Sequence, residues 1–254
     1  MSKSDELSRI REEIDSIDDQ ILSLISDRAK LAIQAGTAKT DKNKYKPARE
    51  SSILSRLSGL NDGPLKGEQI RNIFNEIISS CRSTESTFSI SFLGPEGTFS
   101  ESALEGQFGQ SVEKISEETI RSVFESVSNQ SSDFGIVPIE NSTEGSVNLT
   151  LDCLSEFNLS ICGEIEMEIH HNLLGHNKAL PKEGFEIHAH EQTLAQCRHW
   201  LESHCPGIKL VSVSSNAQAA LNVTDDNNII AIAGDLAAKK LSLIHISEPT
   251  RPYW

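Results

Sequence analysis

Residues 134–147 read FGIVPIENSTEGSV, and their reading decides the fold of most of the chain. Phe134 to Val137 have the makings of a buried strand, yet they run at once into Pro138, Glu140, Asn141, two hydroxyls and Gly145. A core strand that ends in so much hydrogen-bonding capacity predicts either a plain loop or the rim of a ligand cleft. Upstream, SISFLGPEGTFSESAL repeats the pattern: an apolar strand from Phe88 to Leu93, a Gly-Pro-Glu-Gly turn, and a helix opened by Thr98 or Ser100. Around these lie a helix predicted over 117–127, a helix near 147–156, a strand in LSICGEIEMEI (159–169), and a strand entering a helix in AIAGDLAAKK (231–240). Alternating strands and helices indicate α/β. Clefts in such sheets form beyond the carboxyl ends of the strands, and both polar loops fall there. Their backbone amides and hydroxyls could cradle a carboxylate without a basic residue.

That economy suits the charge. The chain has 254 residues and a formal net charge of −14. Residues 1–86 hold 14 Lys and Arg against 14 Asp and Glu, whereas residues 87–254 hold 9 against 23. Such a balance argues against a nucleic-acid partner or an anionic membrane surface. No apolar run approaches the ~18 residues of a membrane helix, and MSKSDELSRIREE lacks the apolar core of a signal peptide. The expected location is the cytoplasm. Five cysteines, Cys81, Cys153, Cys162, Cys197 and Cys205, form no C-x-x-C and suit reduced thiols there.

The cations concentrate in the first segment. From Leu7 to Ala38 there is no proline, and Leu7, Ile10, Ile14, Ile17, Ile21, Leu24, Leu31, Ala35 and Ala38 follow a 3-4 spacing. This predicts one long helix with a coiled-coil-like seam that needs a partner helix. The same spacing lands on Arg28, where an aliphatic residue belongs, and a buried charge is tolerable only when paired. Lys39 lies roughly 20° from Arg28 around the helix, while Arg11 is ~100° away. Arg28 as a register-setting polar residue and Lys39 as a solvated helix end remain open readings. Pro47 fits the first turn of a second helix, with Arg49 and Glu50 following. A third helix carries Ile70, Ile73, Phe74, Ile77, Ile78 and Cys81 on one stripe that extends to Glu85. Glu85 is either an exposed carboxylate at an unfavourable helix end or a carboxyl group held in a site.

With IREEID, ISDRAKLA, GTAK, PARE and IFNEIISSCR in view, residues 1–86 resemble the all-helical chorismate mutase domain of bifunctional proteobacterial P-proteins. The resemblance implies three helices in an intertwined homodimer. It also implies chorismate binding by Arg11, Arg28, Lys39, Arg49, Glu50, Cys81 and Glu85, with Arg11 serving the neighbouring subunit's site. Catalysis then falls to Lys39, Glu85 and Arg28. The reaction, chorismate to prephenate, is pericyclic: the protein folds a flexible dianion and stabilises charge growing on the ether oxygen. Arginine forks suit carboxylates, and Lys39 and Glu85 would bracket the ether. The family's contact just before Pro47 falls near Lys46. Glu85 stands where some members have glutamine and donates a hydrogen bond only when protonated, so mutase activity is expected to fall as pH rises. No metal or cofactor is implied.

FLGPEGTFS, DFGIVPIENSTEGSV, HHNLLG, HAHEQTLAQCRHWL and SSNAQAA, in turn, resemble prephenate dehydratase, the partner domain of P-proteins, over about 88–240. The implied fold is two α/β lobes around a cleft, like a type-2 periplasmic binding protein. The implied cleft residues are Thr98, Asn141, Ser142, Gly145, His190, Gln192, Ser214, Ser215 and Asn216. Glu140 is equally a ligand or a structural carboxylate. The implied reaction takes prephenate to phenylpyruvate with loss of carbon dioxide and water, a general acid assisting the departing hydroxyl. The family assigns that proton to the threonine of a Thr-Arg-Phe motif, and no Thr-Arg-Phe occurs here.

Seven of the eight histidines fall between His170 and His204, but none has the spacing of a familiar zinc motif. After Lys240 the chain reads LSLIHISEPTRPYW, and Leu241–Arg251 resembles a translated sequencing adapter. The expectation is a truncated dehydratase domain with a non-native tail over 241–254, an unpaired sheet edge and no regulatory domain. A different class stays open: a cytosolic small-anion-binding protein with a helical dimerisation arm.

Overall fold

The computed structural model describes residues 3–38, 47–85, 88–142, 145–180 and 184–247. The chain divides into two compact units, residues 1–88 with 108–113, and residues 89–107 with 114–254.

The first unit is helical. α1 spans Lys3–Ala38, α2 Pro47–Gly59 and α3 Gly67–Ser83. The long helix follows from the unbroken 3-4 spacing, and α2 begins at Pro47, whose missing N–H costs nothing in a first turn. α3 packs against both α1 and α2, burying Ile78 and Cys81. The seam of α1 remains largely open: Leu7, Ile14, Ile17 and Leu24 are 49%, 51%, 54% and 69% exposed.

In the second unit, β1 (Ser89–Leu93), β2 (Glu113–Glu117) and β3 (Phe134–Ile136) form a sheet in the order β2-β1-β3. β1 and β3 are parallel, with Ile90 opposite Phe134. α4 (Phe99–Phe108) follows β1, and α5 (Ile120–Ser128) packs on β1 and β3. Gly135 makes that packing possible. A Cβ there would lie 2.8 Å from Val123 Cγ1 and 3.0 Å from Val127 Cγ2. The polar half of the opening stretch folds back as a small hairpin, β4 (Glu140–Asn141) on β5 (Gly145–Ser146), before α6 (Asn148–Glu156). The helix expected over 117–127 therefore starts three residues late. Glu117 ends β2, and its carboxylate accepts from Ser126 Oγ of α5.

A five-stranded sheet completes this unit. β6 is Asn172–Gly175, β7 Glu186–His190, β8 Lys209–Val213, β9 Ile229–Ala233 and β10 Ile244–Ser247, in the order β10-β6-β9-β7-β8. β7 is parallel to both β8 and β9, while β6 is antiparallel to β9 and β10. Three helices cover it: α7 (Glu191–His204), α8 (Asn216–Asp225) and α9 (Asp235–Leu241). Side chains alternate across a strand, and the cores follow that rule. Leu173, Ile230 and Ile232 join Ile187, Trp200 and Leu201, whereas Leu174, Ala231 and Ala233 join Ala219, Ala220, Ala237 and Leu243. Small residues on the second face let α8 and α9 approach closely.

Two expectations need correction. LSICGEIEMEI forms no strand: Ile161, Ile165, Met167 and Ile169 are exposed, and among the described residues no strand pairs with them. The sheet edge at β6, expected to be unpaired, is covered by β10. Ile244 lies opposite Gly175 and His245 opposite Leu174. Antiparallel edge pairing asks only for a free backbone edge and alternating apolar side chains, and residues 244–247 supply both. Residues 248–254 lie outside the described residues. Among the described residues, no helix is long and apolar enough to cross a membrane.

Candidate functional site

Two groups of expected residues take positions in the fold. In the helical unit, α3 carries Cys81, 2% exposed, and ends at Ser83 with Thr84 as its C-cap. Glu85 follows the cap, so the chain turns there instead of extending the helical stripe. The Glu85 N–H donates to Arg82 O at 2.9 Å, and Thr84 Oγ1 donates to Cys81 O at 2.6 Å. This turn aims Glu85 at α1. A Cβ placed on Gly36 would lie 2.7 Å from Glu85 Oε2 and 3.0 Å from its Cδ. The carboxyl group thus rests on the bare backbone of α1, two turns beyond the half-buried Arg28. Arg11 and Arg49 are exposed. Lys39 lies outside the described residues, as does Lys46.

Glu50, in the first turn of α2, is half-buried, and both its oxygens accept from Arg82 Nη1, at 2.7 and 2.8 Å. Sequence reasoning missed Arg82. Its signal was available: a basic residue beside Cys81 on a helix whose buried face was already assigned.

The second group lies at the carboxyl ends of parallel strands. β1 and β3 are neighbours in register, so the GPEGTFS loop after Leu93 and the IENSTEGS turn after Val137 leave the same edge of their sheet. Thr98 Oγ1 donates back to Leu93 O at 3.1 Å. Asn141 pairs with Gly145, whose φ of 79° favours glycine, and Thr150 Oγ1 donates to Pro138 O at 2.7 Å to anchor the base of the turn. Ser142 and Glu140 are exposed.

In the larger sheet, His190 caps α7, its Nδ1 accepting from the Gln192 N–H at 3.4 Å. Ser215 caps α8, its Oγ accepting from the Gln218 N–H at 3.0 Å. Asn216 ties the two helix starts together. Its Oδ1 accepts from the His190 N–H at 2.9 Å, and its Nδ2 donates to Thr193 Oγ1 at 2.8 Å. His190, Gln192, Ser215 and Asn216 therefore share the ends of β7 and β8, and Ser214 sits exposed beside them. The Thr98 loop reaches this edge too. A Cβ on Gly97 would meet Ala237 Cα at 3.4 Å and Ala217 Cβ at 3.7 Å. Phe99 packs on Gly234 and stands edge-on to His171, with ring centroids 5.5 Å apart.

The loop is held by a carboxylate that sequence reasoning also missed. Glu101, 1% exposed, accepts from the Gly97 N–H at 2.7 Å, from Lys240 Nζ at 2.6 Å and from Lys114 Nζ at 3.2 Å. Burial alone pushes its carboxyl upward; the Gly97 amide and the two ammonium groups outweigh that and hold it below its ordinary value. Lys240 also reaches Glu96 at 2.7 Å, so α9 is latched to both ends of the turn. Thr98 and Glu101 stand at capping-box spacing, the sequence signal that could have found this residue, although the amide bonded is that of Gly97.

Comparisons with known proteins fit this division. Residues 10–86 match the family model described as chorismate mutase type II, and residues 90–250 match prephenate dehydratase. A bifunctional chorismate mutase/prephenate dehydratase of Stutzerimonas stutzeri is 44% identical over 255 residues, covering 98% of this chain and 70% of that protein. One from Pseudomonas aeruginosa is 42% identical, covering 99% of this chain and 72% of its own. The crystal structure of prephenate dehydratase from Arthrobacter aurescens, in complex with L-Phe, is similar with a TM-score of 0.58 and 32% identity, covering 64% of this chain and 55% of that one.

Proposed function

Since this chain belongs to the bifunctional chorismate mutase/prephenate dehydratase family, we propose that it acts in phenylalanine biosynthesis, rearranging chorismate to prephenate in its helical unit. The observation that carries this reading is the similarity to bifunctional enzymes over 98% of the chain, through both units in the same order. The geometry supports it in detail. Glu85 rests on α1 at Gly36, and Cys81 lies four residues earlier on the buried side of α3. With Arg28 and Lys39 for the substrate's anionic groups, this set needs no nucleophile: it folds chorismate into its reactive conformation and meets charge developing on the ether oxygen. The working unit is a homodimer, supported by the exposed apolar seam of α1 and the placing of Arg11 away from Arg28. Its location is the cytoplasm.

The α/β unit takes prephenate between the Thr98 loop, the Asn141–Gly145 turn and the starts of α7 and α8. Its amides and hydroxyls receive the carboxylates without a basic cluster, as an acidic domain requires. Loss of carbon dioxide and hydroxide then depends on a proton donor to the departing hydroxyl. The small-anion-binding alternative leaves the similarity to bifunctional enzymes unexplained and is not favoured.

The test is chorismate consumption by the purified chain at neutral pH, with products separated before any acid treatment, because acid itself converts prephenate to phenylpyruvate. Prephenate formed first and then converted to phenylpyruvate is expected. Prephenate that accumulates with no phenylpyruvate at a catalysed rate would refute the dehydratase, and a folded chain that leaves chorismate untouched would refute the mutase.

A further inference from the structure

Arg82 has no role in the reaction as derived so far, yet it touches two of the residues that do. Its side chain is 9% exposed and that of its partner Glu50 is 15% exposed, so this is not a solvated surface pair. Hydrogen bonds and ring contacts fix the guanidinium. Nη1 sits between the two Glu50 oxygens, and Nη2 donates to Phe108 O at 2.7 Å. Its central carbon lies 5.3 Å from the centroid of the Phe88 ring and 5.9 Å from that of Phe108. The backbone of Arg82 is engaged as well, since its carbonyl accepts the Glu85 N–H and so sets the turn that carries Glu85.

A buried ion pair is weak evidence for stability, because desolvation offsets most of its attraction. What such a pair does supply is a single orientation. A guanidinium has only donors, so both Glu50 oxygens face it as acceptors, and a carboxylate offers about four acceptor positions in all. The pair with Arg82 takes one of these positions on each oxygen. Among the polar groups of chorismate, two carboxylates, an ether and a hydroxyl, only the hydroxyl donates. An acceptor locked in one orientation in the first turn of α2 is built to take it.

We propose that Arg82 is a positioning residue for the mutase, holding the Glu50 carboxylate in the orientation that receives the substrate hydroxyl. This rests on the mutase reading of the helical unit. The hydroxyl does not react, so its hydrogen bond is equally strong in the bound substrate and the transition state. Losing it raises KM and leaves kcat nearly unchanged.

The experiment uses the full chain with Arg82→Met, Arg82→Lys, Glu50→Gln and the Arg82→Met/Glu50→Gln double variant, following chorismate disappearance and thermal unfolding. Arg82→Met is expected to raise KM about tenfold with kcat within about threefold. Arg82→Lys, which keeps the charge but cannot hold Glu50 and Phe108 O together, falls between. The double variant loses no more than the worse single variant, because the two side chains act as one unit. A KM within twofold of the parent in either Arg82 variant, or losses that add in the double variant, would overturn the proposal even if the melting temperature fell. Should Arg82→Met fail to fold, Arg82→Lys decides by the same KM criterion. A parent chain that does not consume chorismate would remove the mutase reading and this inference with it, whereas an active parent with unmoved KM removes only the inference.

Discussion

Replacing Gly36 with alanine should make the helical unit no less stable while making it a poorer mutase. A helix interior prefers alanine to glycine by up to about 1 kcal/mol, so the substitution favours α1. The new Cβ would stand 2.7 Å from Glu85 Oε2 and 3.1 Å from its Cγ, whereas ordinary contact starts at 3.4 Å. The intruded group is the far end of a flexible side chain, so the backbone need not move. Instead Glu85 retreats by about 0.7 Å or swings away, and a misplacement near 1 Å can cost up to about 100-fold in rate. Because Glu85 is assigned to the ether oxygen, whose charge grows only in the transition state, the loss should fall on kcat, by about 10- to 100-fold. Steady-state chorismate consumption beside a thermal melt reads both quantities. A Gly36→Ala chain with parental kcat would refute the placing of Glu85 at the reacting atoms. A fall in kcat that merely tracked a lower melting temperature would refute the reasoning about α1.

Two further substitutions probe the α/β unit. Glu101 is held below its ordinary value of 4.5, so the stability it contributes is fully present above that pH and is lost as pH falls through the lower folded value. Urea midpoints measured from pH 7 downward should therefore decline in the parent and decline less in Glu101→Gln, with parallel curves counting against the network. Gly135→Ala should destabilise by roughly 1–3 kcal/mol through overpacking against Val123 and Val127, and an unchanged urea midpoint would show that α5 can give way.

How legible each part was depends on the range of the interaction that fixes it. Local signals sufficed for α1, for Pro47 opening α2 and for Thr98 preceding α4, because periodicity and caps are written within a few residues of where they act. The expected strand at 159–169 failed because alternation describes a side-chain pattern, whereas a strand needs a neighbour to bond, and that neighbour is not encoded locally. Site residues divided the same way. Cys81 was legible from the buried stripe of α3, whereas Glu85 stands past the C-cap in a turn that the stripe does not describe. Arg82 and Glu101 were not legible, since what identifies each is a partner far away in sequence: Glu50 and Phe108 for the first, Lys114 and Lys240 for the second. Asn216, expected at the cleft, bonds both the His190 backbone and Thr193 through its amide and so ties the starts of α7 and α8 together.

Residues 241–247 sharpen that distinction. As sequence they resemble translated adapter, and nothing in that likeness predicts order. In the fold, Leu243 is 7% exposed within the core that includes Ala219 and Ala238, and Ile244 to Ser247 run antiparallel along β6. A Cβ on Gly175 would lie 3.0 Å from Ile246 Cδ1, so a glycine in β6 leaves the space that Ile246 fills. An exposed β6 would present a row of unpaired backbone groups, a template for any strand with apolar residues at alternate positions. Ile244 and Ile246 meet that requirement whatever their origin. The cover on β6 is accordingly generic, set by backbone pairing and burial.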